Sequence, residues 1–211
     1  MHFAYTSNMN KIKTVIFDVG GVLIRQDAGA TDYLMDELNI DQPTLESIFA
    51  HQIPLLGSGK IDEAEFWRQL QQNYTIRRVD ASENLLGRSF VERLDPYTDM
   101  LEFIKELSSI GYRLVVLSNT IEAHARELKS AGIYEGFDHL FLSHEIGMRK
   151  PDPEIYQHVL TALSVSPQAT LFIDDDRKNI EVAVSLGMNG VLFTDEHKTI
   201  SEIRTALELN S

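Results

Sequence analysis

Five short, largely apolar runs, each ending on a polar residue, constrain this chain more than any other feature. Lys13–Phe17 runs into Asp18, Arg113–Leu117 into Ser118, His139–Leu142 into Ser143, Ala169–Ile173 into Asp174, and Gly190–Phe193 into Thr194. Runs of this length without polar alternation fit strands buried on both faces, which implies a parallel sheet covered by helices. Between them, Thr98–Ile110 places Met100, Leu101, Ile104 and Leu107 on one helical face and stops at Gly111, while Ile121–Ala131 stops at Gly132. Strand alternating with helix predicts an α/β fold, a Rossmann-like doubly wound parallel sheet.

The stretch from about Ala30 to Arg93 has no good strand and reads as amphipathic helices around Tyr33–Leu38, Thr44–His51, Ile61–Gln72 and Ser82–Leu94. It predicts a small helical cap, residues 29–94, inserted after the first strand of a core formed by residues 1–28 and 95–211. Material inserted there lies by the carboxyl ends of the strands, where open α/β sheets bind ligands. Gly57-Ser58-Gly59-Lys60 breaks two of these helices and reads either as a loop or as a hinge.

Charge narrows the partners. The 211 residues carry 19 Lys and Arg against 32 Asp and Glu, a net charge of −13, which disfavours nucleic acid and anionic membranes as partners. An anionic substrate would then need positive charge concentrated at its site. The chain has no cysteine, which removes disulfides, thiolate zinc sites and cysteine nucleophiles together. With no run of membrane-spanning length and no signal-like N-terminus, the expectation is a cytoplasmic protein.

The strand ends carry the chemistry. Asp18 follows the apolar strand residues Val15, Ile16 and Phe17 and precedes Gly20-Gly21; it fits a helix or turn cap, or a carboxylate presented at the sheet edge beside approachable backbone N–H groups. Ser118-Asn119-Thr120 offers a hydroxyl and an amide that suit either a helix cap or a phosphoryl oxygen. Lys150, held ahead of Pro151, is either a solvated lysine or an aimed ammonium. The triplet Asp174-Asp175-Asp176 beside a buried strand is costly unless a cation neutralises it, and carboxylate oxygens suit Mg²⁺.

Taken together and in order, FDVGGVL with Asp18, LSNT with Ser118, RKPDPEIY with Lys150 and FIDDDRKNI with Asp174 and Asp175 make the chain resemble the haloacid dehalogenase-like hydrolases over nearly its whole length. The insert resembles the helical cap of that family's first subclass. Within the family, GMRKPDPEIYQHVL, LSNT and GSGKIDEAEFW look most like its sugar-phosphate phosphatases. The resemblance implies a Mg²⁺-dependent phosphatase acting on a small phosphorylated metabolite, with neither nucleic acid nor membrane as partner. Asp18 would be the nucleophile that takes the phosphoryl group as an aspartyl phosphate. Ser118, the backbone N–H of Asn119 and Lys150 would hold the phosphoryl oxygens. Asp18, the Gly20 carbonyl, Asp175 and Asp174 would hold the metal, Asp174 directly or through a neighbour.

One position departs from that pattern. Gly20 stands where most of the family's phosphatases carry the Asp that serves as general acid and base, help worth ~10²–10⁴ in rate. His51 and Asp27 are the substitutes that residue type suggests, and Arg25, His51, Trp67 and Arg88 are the specificity residues it suggests. Gly20 also keeps open a binding protein without catalysis, and dehalogenation, although the paired Asp174-Asp175 argues for a metal and against the latter. Phosphoryl transfer between sugar positions normally needs the Asp absent at Gly20.

Overall fold

A computed structural model describes residues 11–25 and 29–209. In chain order the elements are β1 (Thr14–Phe17), α1 (Gly29–Leu38), α2 (Gln42–Gly57), α3 (Glu63–Asn73), α4 (Leu85–Val91), α5 (Thr98–Ser109), β2 (Arg113–Ser118), α6 (Glu122–Ser130), β3 (His139–Leu142), α7 (Ser143–Ile146), α8 (Pro153–Leu163), β4 (Thr170–Asp174), α9 (Arg177–Ser185), β5 (Asn189–Leu192) and α10 (Glu196–Ala206). A single turn of 3₁₀ helix, Ala81–Glu83, precedes α4.

The five strands form one parallel sheet in the order β3-β2-β1-β4-β5. The period-two pleat sorts the continuous apolar runs to both faces. Val15, Phe17, Leu114, Val116, Leu171 and Ile173 pack with α5, α6 and α10. Ile16, Val115, Leu117 and Phe172 pack with α8 and α9 on the other face. The winding reverses at β1, so the crevice at the carboxyl ends of β1, β2 and β4 is the topological switch point. Asp18, Ser118 and Asp174 all stand there.

The polar ends of β2 and β4 lie within the sheet, one residue beyond the apolar runs, because Ser118 pairs with Leu142 and Asp174 with Leu192 in the parallel ladder. α2 likewise runs past its expected end at His51 to Gly57. Pro54 lies inside it, and Ser58 closes the end by donating its hydroxyl to the carbonyl of Pro54 at 2.8 Å.

Helices α1 to α4 bury Leu34, Leu38, Ile48, Phe66, Trp67 and Leu85 in an apolar cluster separate from the two that flank the sheet. Asp41 and Asp62 cap α2 and α3 by accepting from the backbone N–H of Thr44 and Glu65. Ile121 and Ala123, beside and within α6, belong to this same cluster and seat the helices on the sheet layer. Gly59, with φ of +63°, packs directly on the His144 backbone. A Cβ there would lie 2.2 Å from the His144 carbonyl oxygen, so the segment between α2 and α3 is a close contact that admits only glycine. No helix among the described residues is long and apolar enough to cross a membrane.

Candidate active site

Lys150 organises the site. Its ammonium is buried and lies 2.8 Å from Asp18 Oδ1 and 2.6 Å from Asp174 Oδ2. Burial alone would push its pKa down, but the two carboxylates outweigh that and hold it above the ordinary lysine value. Asp18 is pushed up to about 6 by burial, with Lys150 pulling down and Asp174 adding to the rise.

Asp174 is fully enclosed. Its Oδ1 accepts from the Asp176 backbone N–H and from Asn179, and its Oδ2 accepts from Lys150 and again from Asn179. Asn179 enters from the first turn of α9, and its own carbonyl accepts the Tyr156 hydroxyl at 3.1 Å. The sequence reading missed Asn179. The available signal was its place five residues beyond Asp174, near the start of the helix that leaves the acidic strand end.

Asp175 is more exposed than Asp174, and burial followed by the neighbouring Asp174 raises its pKa. It passes so close to Gly21 that a Cβ on that residue, whose φ is +76°, would lie 2.3 Å from Asp175 Oδ2. The second glycine after Asp18 is thus required both by the turn and by the carboxylate beside it.

Asp18, Asp174 and Asp175 each place a carboxylate oxygen within 4.8 Å of the other two. Three carboxylates against one ammonium leave a local surplus of two negative charges. All-oxygen donors and that surplus fit a hard divalent cation such as Mg²⁺.

Ser118 and Asn119 arrive from the end of β2. Ser118 is a buried residue at the end of β2, and its hydroxyl, one donor with two acceptor lone pairs, suits a phosphoryl oxygen. The Asn119 side chain does something the sequence reading did not foresee. Its Nδ2 donates to the Lys150 carbonyl at 2.8 Å, and its Oδ1 accepts from the Lys150 backbone N–H at 2.9 Å. The amide fixes the lysine's backbone and leaves the Asn119 backbone N–H as its group for an anion.

The residues named as specificity candidates from type alone go elsewhere. Arg25 pairs with Asp95 and Glu196 and lies over the Tyr97 ring. Trp67 is buried among the α1–α4 helices and donates to Glu63. Arg88 is exposed, 6.0 Å from the Tyr33 ring centroid. His51 is exposed, with Nδ1 2.7 Å from the Ser47 carbonyl oxygen. None of them lines the cavity between the helices and the strand ends. Charge and aromaticity identify side chains that seek partners, and each of these found one away from the site. Asp27 lies outside the described residues.

A sheet whose switch point gathers a strand-end nucleophile candidate, a buried lysine and an acidic cluster, with a helical insert alongside, defines a Rossmann-like α/β hydrolase. A model of the haloacid dehalogenase-like hydrolase family matches residues 12–187, and the chain belongs to that family. It is 28% identical over 205 residues to a sesquiterpene phosphatase of Aspergillus oryzae, covering 91% of this chain and 95% of the relative. It is 29% identical over 188 residues to a D-ribitol-5-phosphate phosphatase of Bacteroides thetaiotaomicron, covering 83% and 89%. A solved family enzyme from the latter organism, in complex with magnesium and inorganic phosphate, superposes with a TM-score of 0.72 at 26% identity over 87% of this chain and 94% of that one.

Proposed function

We propose that the protein is a Mg²⁺-dependent phosphatase that hydrolyses a small phosphomonoester through an aspartyl phosphate on Asp18. The observation that carries the reading is Lys150 held between Asp18 and Asp174 beside Asp175. The phosphatase relatives and the solved relative with magnesium and phosphate support it.

In this reading residues 29–94 are the cap, and residues 1–28 and 95–211 form the core. Asp18, Asp175 and the Gly20 carbonyl hold Mg²⁺. Asp174, its oxygens already occupied by Lys150, Asn179 and the Asp176 N–H, orients the lysine and completes the acidic shell. Bound Mg²⁺ supplies positive charge that lessens repulsion between the phosphate dianion and the Asp18 carboxylate.

The other Asp18 oxygen attacks phosphorus as the ester P–O bond breaks and the alcohol leaves, taking a proton from solvent. Ser118, the Asn119 N–H and Lys150 hold the phosphoryl oxygens as charge shifts among them. Water then attacks phosphorus, the Asp18 carboxylate departs, and inorganic phosphate is released. Gly20 has no side chain to protonate the leaving oxygen, so esters of acidic alcohols react faster than esters of basic ones.

The leaving group is the finer question. The ribitol-phosphate relative supports the sugar-phosphate expectation, whereas the sesquiterpene phosphatase supports an apolar one. Hydrolysis of p-nitrophenyl phosphate with Mg²⁺ and with chelator tests the class. Turnover that chelator abolishes is the expected result, and turnover unaffected by chelator rejects the metal-assisted reading.

A further inference from the structure

A cavity of about 190 Å³ lies where the α1–α4 helices face the strand ends. Leu34, Phe49, Ile53, Leu86 and Ile121 form its apolar wall. Its core side includes Asn119, Thr120 and Arg149, chain neighbours of Ser118 and Lys150.

The polar groups of the lining are already engaged. The Ser89 hydroxyl donates to the Leu86 carbonyl, and the Asn119 amide is turned onto the Lys150 backbone. The Ser143 hydroxyl accepts from the Thr120 N–H and donates to the Thr120 carbonyl. The Thr120 hydroxyl is directed to the Ile121 carbonyl, and Thr31 has a partner of its own. His124 is bonded to the Leu86 backbone and stacks on Phe90 with ring centroids 4.3 Å apart. What remains is one imidazole nitrogen, acceptor lone pairs on the Ser89 and Thr120 hydroxyls, the Asn119 backbone N–H, and the Arg149 guanidinium, whose side chain has no hydrogen-bond or ion-pair partner among the described residues.

A sugar or polyol brings several hydroxyls, and each one stripped of water without a partner weakens binding. The wall of Leu34, Phe49, Ile53, Leu86 and Ile121 offers them no partner. It matches a hydrocarbon, which needs no partners, and a cavity of ~150 Å³ lined by Leu, Ile and Phe already takes benzene. In a chain of net charge −13, a guanidinium without a carboxylate partner among the described residues, next to Lys150, also gives the lining one anion-seeking end.

We infer that the cavity seats the hydrocarbon part of the substrate, so that the substrate is the phosphomonoester of an apolar alcohol of about six to ten carbons or more, with Arg149 meeting its anionic end. This rests on the phosphatase reading above and names the substrate class for that same site.

The test is a series of n-alkyl phosphates, from butyl to decyl, run with Mg²⁺ beside D-ribitol 5-phosphate and p-nitrophenyl phosphate. We expect kcat/KM to rise about threefold to fourfold per methylene until the cavity is full, and the ribitol ester to fall at least tenfold below the octyl ester. A flat series, or a ribitol ester as good as octyl while p-nitrophenyl phosphate is hydrolysed, overturns the inference and leaves the phosphatase reading standing. If no ester is hydrolysed, the phosphatase reading fails instead. Calorimetry with n-alkylphosphonates then reads the cavity alone: affinity that grows with chain length upholds it, and affinity independent of length overturns it. Ile53→Asn should reduce the octyl-to-butyl ratio of kcat/KM about tenfold, and Arg149→Leu should raise KM across the series. Should either variant fail to fold, the wild-type series decides alone.

Discussion

The side chain of Asn119 holds both backbone polar groups of Lys150, donating to its carbonyl oxygen at 2.8 Å and accepting from its N–H at 2.9 Å. The end of β2 thereby sets the origin of the lysine whose ammonium lies between the ends of β1 and β4. Three strand ends converge on one side chain, and the amide keeps the third in register with the other two.

Asn119→Ala removes both bonds and frees the Lys150 backbone. Misplacement of a reacting group by about 1 Å costs ~10² in rate, so kcat on p-nitrophenyl phosphate should fall about 10- to 100-fold. Asn119→Asp keeps the acceptor for the Lys150 N–H but loses the donor, and its kcat should lie between alanine and wild type. Steady-state kinetics on the three proteins measures the order. An alanine variant with wild-type kcat would mean that Lys150 needs no such hold.

Gly21→Ala brings a Cβ to 2.3 Å from Asp175 Oδ2 on a backbone of φ +76°. The carboxylate must swing aside, so Mg²⁺ affinity, read from the concentration dependence of turnover, should weaken about 10- to 100-fold. Unchanged affinity would place Asp175 outside the metal site.

His124, stacked on Phe90, makes stability respond to acid. Burial lowers its pKa to about 4, although the bond to the Leu86 backbone pulls upward. The unfolded chain binds a proton near 6.5, so between about pH 6.5 and pH 4 it takes up protons that the native state refuses. Stability should therefore fall with decreasing pH across that window, by up to about 2 kcal/mol at pH 5, and this contribution should level off below pH 4. His124→Phe, which keeps a ring against Phe90, should lose that slope in urea unfolding. A variant with the wild-type slope would assign the acid sensitivity to other groups.

Gly20→Asp supplies a carboxyl group where the leaving oxygen lacks a proton donor. Hydrolysis of alkyl phosphates should quicken by about 10²-fold, while p-nitrophenyl phosphate, whose leaving group needs no proton, should change little. Equal changes on both would show that acid catalysis is not what the glycine limits.

The sheet was legible because each strand is a nearly unbroken apolar run, and a polar residue marks where its carboxyl end emerges. The positions of Asp18, Ser118, Asp174 and Asp175 at strand ends were legible for the same reason, and that of Lys150 from its place ahead of Pro151. Strand ends were off by a residue at Ser118 and Asp174, since ladder pairing with Leu142 and Leu192 carries a polar residue into the strand despite its side chain. The relations among side chains were not legible. Nothing in the string LSNT says that the asparagine turns toward a lysine 31 positions away, or that Asn179 reaches back to both oxygens of Asp174. Nor do Arg25, His51, Trp67 and Arg88 declare by type that their partners lie outside the cavity. Its wall consists instead of ordinary apolar residues, whose role depends on where the helices place them.

The central claim is that Asp18 itself carries the phosphoryl group during turnover. Acid quench of the enzyme turning over p-nitrophenyl phosphate with Mg²⁺, followed by peptide mass spectrometry, measures this directly. We predict a phosphoryl group on the peptide containing Asp18, present at the earliest times and absent from Asp18→Asn, which should not turn over. Sustained turnover with no phosphoryl group on that peptide, together with substantial activity in Asp18→Asn, would contradict the account.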